Sequence, residues 1–270
     1  MKHLTCLVIL FSSLLSFGQQ SPNLWIDYSL PYYKFNVVKD GVYRIDRSAL
    51  IASGINAGTI DPRTIQVFGR GEEIAIHVEG ESDGSFDTND FIEFYAKKND
   101  GWLDDELYQG AENNANPFYS LITDTAVYFM TWGTSGNAKR LTPEVDVNYS
   151  AYTSSAYFIN ESVEEFHSNY FDGKTSIGGA TDPSYHPTEG WFDASWGIGG
   201  TRTRYVTTRK VFTSGPNATI EWVVLGASDY ASLALDHHLR VEFTGITFDT
   251  IYGGYQLIRK NFQVAPTQLS

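Results

Sequence analysis

From residue 30 onward, large and polar positions alternate in short runs, the period of half-buried strands. Residues 33–38 and 42–45 alternate on either side of Lys39-Asp40-Gly41, and the Asp-Gly pair predicts a tight hairpin between them. Asp46-Arg47-Ser48 leads into residues 49–52 with Gly54 beyond, which predicts one short capped helix. Strands are expected over 64–68, 73–78, 91–95 and 125–132, divided by clusters of Gly, Asp and Asn. Past Leu141 the alternation weakens. Ser162-Val163-Glu164-Glu165 has the form of a capping box and predicts a helix from Val163 to about Tyr170. Residues 173–200 are rich in Gly, Pro, Ser and Thr and carry Tyr185, Trp191, Phe192 and Trp196. Such a stretch is expected to be an ordered loop held down by its rings. Strand patterning returns over 204–212, 218–225, 239–243 and 255–264.

These elements predict a mainly β fold with one or two short helices. A compact β-rich N-terminal domain is expected over 19–143, an ordered connecting segment over 144–200, and a partial β-sandwich over 201–270. The strands of that last part are too few to close two sheets, so the sandwich is expected to continue beyond Ser270. Residues 1–18 stand apart. Lys2 and His3, an apolar run over 7–15 and the small-residue end Ser16-Phe17-Gly18 predict a secretory signal peptide. Its apolar run is too short to span a bilayer, and no later segment is long and apolar enough to do so. The protein is therefore expected to be exported, to the cell surface, the outer membrane or the medium. Cys6 is the only cysteine and leaves with the leader, which removes any thiolate nucleophile or disulfide from the mature chain.

Composition sharpens this. Of 270 residues, 42% are hydrophobic and 15% aromatic, enough to bury one large core or two modest ones and to exclude a disordered chain. A formal charge of −13 excludes a general binder of nucleic-acid phosphates. Arg202, Arg204, Arg209 and Lys210 form the one basic cluster, expected to be a solvated or domain-contacting face.

Candidate chemistry is sparse. In the stretch 79–90, acids or a hydroxyl stand at Glu79, Glu81, Asp83, Ser85, Asp87 and Asp90, with Gly84 between the third and fourth. That spacing follows a loop that wraps oxygens around one Ca²⁺, although its flanks read as strands and Asp stands where a bidentate Glu is usual. The competing reading is an acidic, solvated hairpin loop. His237 and His238 point to opposite faces if extended, so they cannot share an ion. His-Glu-x-x-His and Gly-x-Ser-x-Gly are both missing from the sequence. Tyr185, Trp191 and Trp196 could stack on sugar rings, or could simply pin their loop to the β-core. A hydrolase would need facing acids, and Asp87 with Asp90 or Glu164 with Glu165 are too close in sequence to face each other readily.

A family resemblance gathers several of these segments. Lys39-Asp40-Gly41-Val42-Tyr43-Arg44-Ile45 is followed by Ala49-Leu50-Ile51-Ala52-Ser53-Gly54-Ile55 and by Asp61-Pro62-Arg63-Thr64-Ile65-Gln66-Val67-Phe68-Gly69. Then come Asp87-Thr88-Asn89-Asp90-Phe91-Ile92-Glu93-Phe94-Tyr95 and Asn116-Pro117-Phe118-Tyr119-Ser120-Leu121. This order, over roughly residues 30–245, resembles the N-terminal, non-catalytic region of gingipain-like C25-family cysteine peptidases. That group includes the PorU-like sortases of the Bacteroidota type IX secretion system. The resemblance implies a β-scaffold whose partner is a downstream catalytic domain of the same protein, or secretion-machinery and surface proteins. The family's His and Cys lie in a following caspase-like domain that matches nothing here, so it implies no catalytic residue within this chain. The expected function is an exported, non-catalytic accessory scaffold. The alternative is a carbohydrate- or surface-binding adhesion module that uses its exposed aromatics.

Overall fold

The computed structural model describes residues 23–108, 110–133, 138–174, 179–180 and 188–269. The expected leader, Tyr185 and His186 lie outside the described residues. The protein is mainly β, with a single short α-helix and several 3-10 turns among the described residues. It divides into two units, Met1–Lys97 with Val127–Pro143, and Lys98–Ala126 with Glu144–Ser270. The stretch Lys98–Ala126 thus belongs with the second unit, although the sequence pattern assigns it to an N-terminal domain over 19–143.

In the first unit, β1 (Tyr33–Val37), β7 (Ala126–Thr131), β3 (Gln66–Gly69) and β4 (Glu72–Ile74) form one sheet in that order. A second sheet runs β2 (Gly41–Asp46), β6 (Phe91–Ala96), β5 (His77–Val78), all antiparallel. The two sheets face each other. Phe35 of β1 lies 5.6 Å from Phe94 of β6 and 6.0 Å from Tyr128 of β7. Val37, Val67, Ile92, Phe94 and Met130 are buried between the sheets, flanked by Ile65, Ile76 and Phe86. Burying each such side chain contributes about 1.5–3 kcal/mol. Where β3 approaches β7, a Cβ at Gly69 would run into the Tyr128 ring, so only glycine fits.

Helix α1 (Arg47–Ala52) starts as expected: Asp46 Oδ1 accepts from the Ala49 amide at 2.8 Å. The Asp-Gly hairpin does not form. Gly41 lacks the positive φ that the turn requires, and β1 and β2 enter different sheets. Tyr43 instead pairs across the strands with Phe94. The tight two-residue turn of this unit is Arg70-Gly71, both at positive φ (55° and 82°), joining β3 to β4. The run expected over 73–78 breaks in two, because β4 and β5 serve opposite sheets.

Among the described residues, the second unit holds three antiparallel strand pairs. They are β8 (Asn169–Phe171) with β9 (Gly190–Phe192), β10 (Ala218–Leu225) with β13 (Leu257–Val264), and β11 (His237–Phe243) with β12 (Ile246–Tyr252). Trp222 of β10 meets Phe248 of β12 edge-on at 5.3 Å, and Phe243 of β11 lies 5.8 Å from Phe262 of β13. Those two pairs thereby face each other across an aromatic layer. Strand β12 closes on β11 through Thr244-Gly245 at φ 43° and 85°. Two expectations fail here. The helix over 163–170 is absent: residues 163–168 are irregular and Asn169–Phe171 is drawn into β8 by pairing with β9. The strand expected over 204–212 finds no ladder partner among the described residues.

Candidate functional site

The acidic loop is built on two left-handed glycines, Gly80 and Gly84, around a 3-10 turn at Glu81–Asp83. Gly84 makes the sharp turn that its spacing predicted, but the oxygens scatter to separate partners. Glu79 lies 3.2 Å from His77 Nε2, and Glu81 Oε2 accepts from Arg140 Nε at 2.7 Å. Asp83 Oδ1 accepts from the Ser85 amide at 2.9 Å, and buried Asp90 accepts from the Asp87 amide at 2.6 Å. Ser85 and Asp87 take part through their main chains: both amides donate, and the Asp87 carbonyl accepts from the Asp90 amide at 3.3 Å. Among the described residues, no three His, Cys, Asp or Glu gather to hold one ion. The loop's anchor is Arg140, whose guanidinium also donates to the carbonyls of Ile65, Pro62 and Arg63, each at 3.0 Å.

The described histidines each lie beside an acceptor. His77 faces Glu79, His167 Nδ1 is 3.0 Å from Glu165 Oε2, and His238 pairs with Asp249. His237 donates from Nε2 to the Ser228 carbonyl at 3.0 Å and packs 5.0 Å from the Tyr252 ring. Because both residues lie in β11, His237 and His238 diverge as their alternation requires. Asp236, only 5% exposed, was not singled out by the sequence pattern. It accepts from the Gly254 amide at 2.7 Å and the Tyr230 amide at 2.8 Å, tying the loop before β11 to the turn after β12. Those amides, Gly254 first, hold its carboxyl below the usual carboxylate range. Burial pushes the Tyr252 phenol up.

An aromatic and charged cluster occupies the second unit around Trp191. Its ring is edge-on to Tyr119 at 5.9 Å and to its cross-strand partner Tyr170 at 5.2 Å. Tyr119 stacks flat on His167 at 4.2 Å, and Glu165 bridges His167 to Lys98, 3.5 Å away. The Tyr170 hydroxyl donates to Glu189 Oε1 at 2.5 Å. Asn116 fixes the cluster from below, donating from Nδ2 to the carbonyls of Phe166 (3.2 Å) and Trp191 (3.1 Å). Trp196 belongs elsewhere: it is 40% exposed, with the Arg202 guanidinium 5.9 Å from its ring. Of the sugar-stacking candidates, then, Trp191 is a packed member of a ring cluster and Trp196 a surface ring. Tyr119, Tyr170 and Asn116 complete the cluster; the Asn116-Pro117-Phe118-Tyr119 block is the sequence feature that marks it.

The basic segment is exposed throughout 201–210. Arg204 pairs with Asp193, and its guanidinium lies 5.0 Å over Phe166. No helix among the described residues is long and apolar enough to cross a membrane. Comparisons of the chain with protein-family models, with curated proteins and with solved structures each found no match.

Proposed function

We propose that this chain is an exported, non-catalytic β-scaffold, the accessory N-terminal region of a gingipain-like C25 peptidase or PorU-like secretion protein, working by protein contact. The observation that carries the reading is how the polar groups are used. Glu79, Glu81, Asp83 and Asp90, with the described histidines, are spent on turns, strand faces and loop anchors. Among the described residues no histidine is hydrogen-bonded to a hydroxyl nucleophile, which acyl transfer by such a pair requires. Within this proposal the acidic loop is an Arg140-anchored turn. Millimolar Ca²⁺ is expected to leave the melting temperature unchanged; a rise of several degrees with measurable binding heat would restore the calcium loop.

The direct test is hydrolysis of casein and of short peptide esters by the purified chain, with and without a thiol-blocking reagent. The expected result is no turnover in either case. Turnover that survives thiol blocking would replace the scaffold with a self-contained hydrolase.

A second reading, a surface or glycan adhesin, is favoured by the exposed Trp196 ring and by Tyr170, whose hydroxyl meets a carboxylate at the edge of the cluster. Binding on a glycan array that is lost in Trp196→Ala or Tyr170→Ala, with the melting temperature kept, supports it. A blank array removes it.

A further inference from the structure

The basic segment 201–212 is strand-prone and unpaired. Thr201, Thr203, Val206, Thr207, Thr208 and Val211 are β-branched, and no proline interrupts the run. None of residues 201–211 exchanges a main-chain hydrogen bond with another main-chain group among the described residues. Tyr205 is 81% exposed. Lys210 sits at φ 51°, a left-handed conformation that strains a non-glycine residue.

A second segment of the same unit shares these features. Residues 153–168 also lack main-chain to main-chain bonds among the described residues, and Phe158 and Ile159 are 85% and 88% exposed. The two segments touch at both ends. Tyr157 stacks on Phe212 at 5.4 Å, and Arg204 lies over Phe166 at 5.0 Å. One numbering rises as the other falls, so residues 157–166 run antiparallel to 204–212. Their charges are opposite: Glu161, Glu164 and Glu165 against Arg204, Arg209 and Lys210.

We propose that residues 157–166 are an acidic strap that closes on 204–212 as an antiparallel strand pair, and that the structure shows the strap open, meeting 204–212 through the Tyr157–Phe212 and Arg204–Phe166 contacts while Glu165 pairs with Lys98 and His167. The Tyr157–Phe212 contact sets the register. It places Val163 opposite Val206, Glu165 opposite Arg204, and Glu161 opposite Thr208 with Lys210 diagonal on the same face. Closure gives the exposed main chains their partners, brings Lys210 into extended backbone and covers the Val163 and Val206 side chains. Opening presents two strand edges to any neighbouring chain. Salt governs the balance, because at about 1 M the screening length falls to ~3 Å and the attraction between the segments is lost. The strap goes beyond the scaffold reading and stands whether or not that reading holds.

The test uses the mature chain, which carries no cysteine of its own after the leader. Val163→Cys with Val206→Cys is expected to form an intramolecular disulfide at low salt at least ten times faster than the out-of-register pair Val163→Cys with Lys210→Cys. Amide exchange over 204–212 in the unmodified chain should be slowed at low salt and return to the unstructured rate at about 1 M salt. Equal rates for the two cysteine pairs, or unprotected amides at low salt, would overturn the strap. A disulfide that links two copies instead of one would overturn it as an intramolecular device.

Discussion

Arg140 ties separate segments of the first unit together. Its side chain is 22% exposed, and its guanidinium joins three carbonyls of residues 62–65 to the Glu81 carboxylate, locking the acidic loop to the segment that precedes β3. Arg140→Ala strands those acceptors and the Glu81 charge, and is expected to cost about 1–3 kcal/mol, the range for groups that lose their hydrogen-bond partner. Arg209→Ala, at an exposed position, should change stability by less than ~0.5 kcal/mol. Thermal melts of the two variants check both figures; equal melting temperatures would show that the Arg140 contacts contribute nothing. Trp222 presents the opposite case. Its indole N–H is buried against Phe248 without an acceptor among the described residues. Trp222→Phe keeps a ring in that place and removes the stranded donor, so it should be within about 1 kcal/mol of neutral, whereas Trp222→Ala should cost ~3 kcal/mol or more. Chemical denaturation of the pair separates the lost ring from the lost donor.

At the level of elements, two-residue turns at positive φ define the hairpins. Thr244-Gly245 is such a turn, and Gly245→Val places a β-branched residue at φ 85°, with an expected loss of more than about 1 kcal/mol and looser pairing of β11 with β12. Amide exchange across 237–252 reads that loosening; unchanged protection would mean that the strands, not the turn, set the pairing. The contrast with Asp40-Gly41 shows what local sequence lacks. Both turns pair a small or polar residue with glycine, yet only long-range pairing decides which becomes a hairpin: β2 is taken by β6, fifty residues away, over six aligned positions. Local signals that draw on one side chain and its neighbours were legible, as at the Asp46 cap and the alternation of β2, β6, β7 and β10. Those that depend on distant partners were not. The capping box at Ser162 predicted a helix, but pairing of β8 with β9 outweighed it. Strand β12 was not among the expected strands, although Ile246, Phe248, Thr250 and Tyr252 alternate with polar or exposed positions along it. For the site, the residue types were legible and their grouping was not. Trp191 was recognisable as a ring, but its companions Tyr119 and His167 come from segments some seventy and twenty-five residues away.

For the molecule as a whole, acid should be destabilising. The carboxyls of Asp46, Asp61 and Asp236 are held below their usual range by hydrogen bonds: Ser48 and the Ala49 amide, Arg63, and the Gly254 and Tyr230 amides respectively. A carboxyl whose folded pKa is depressed contributes stability that is fully present above its unfolded value near 4 and is lost as pH falls through the folded value. Melting temperature should therefore hold between about pH 5 and 7 and drop below about pH 4. In Asp236→Asn the acid-dependent part of that drop should be smaller, because one depressed carboxyl is gone. A wild-type melting temperature that is flat down to pH 3 would contradict this. The same scale decides the identity question. The proposed role is that of the accessory front region of a larger exported protein, and the intact mass of the native product, recovered from the envelope and medium of producing cells, tests that proposal most directly. The expected mass lies far above the 30.2 kDa of this chain. A native species slightly below 30.2 kDa, trimmed only of its leader, would contradict it and leave a free-standing binding module.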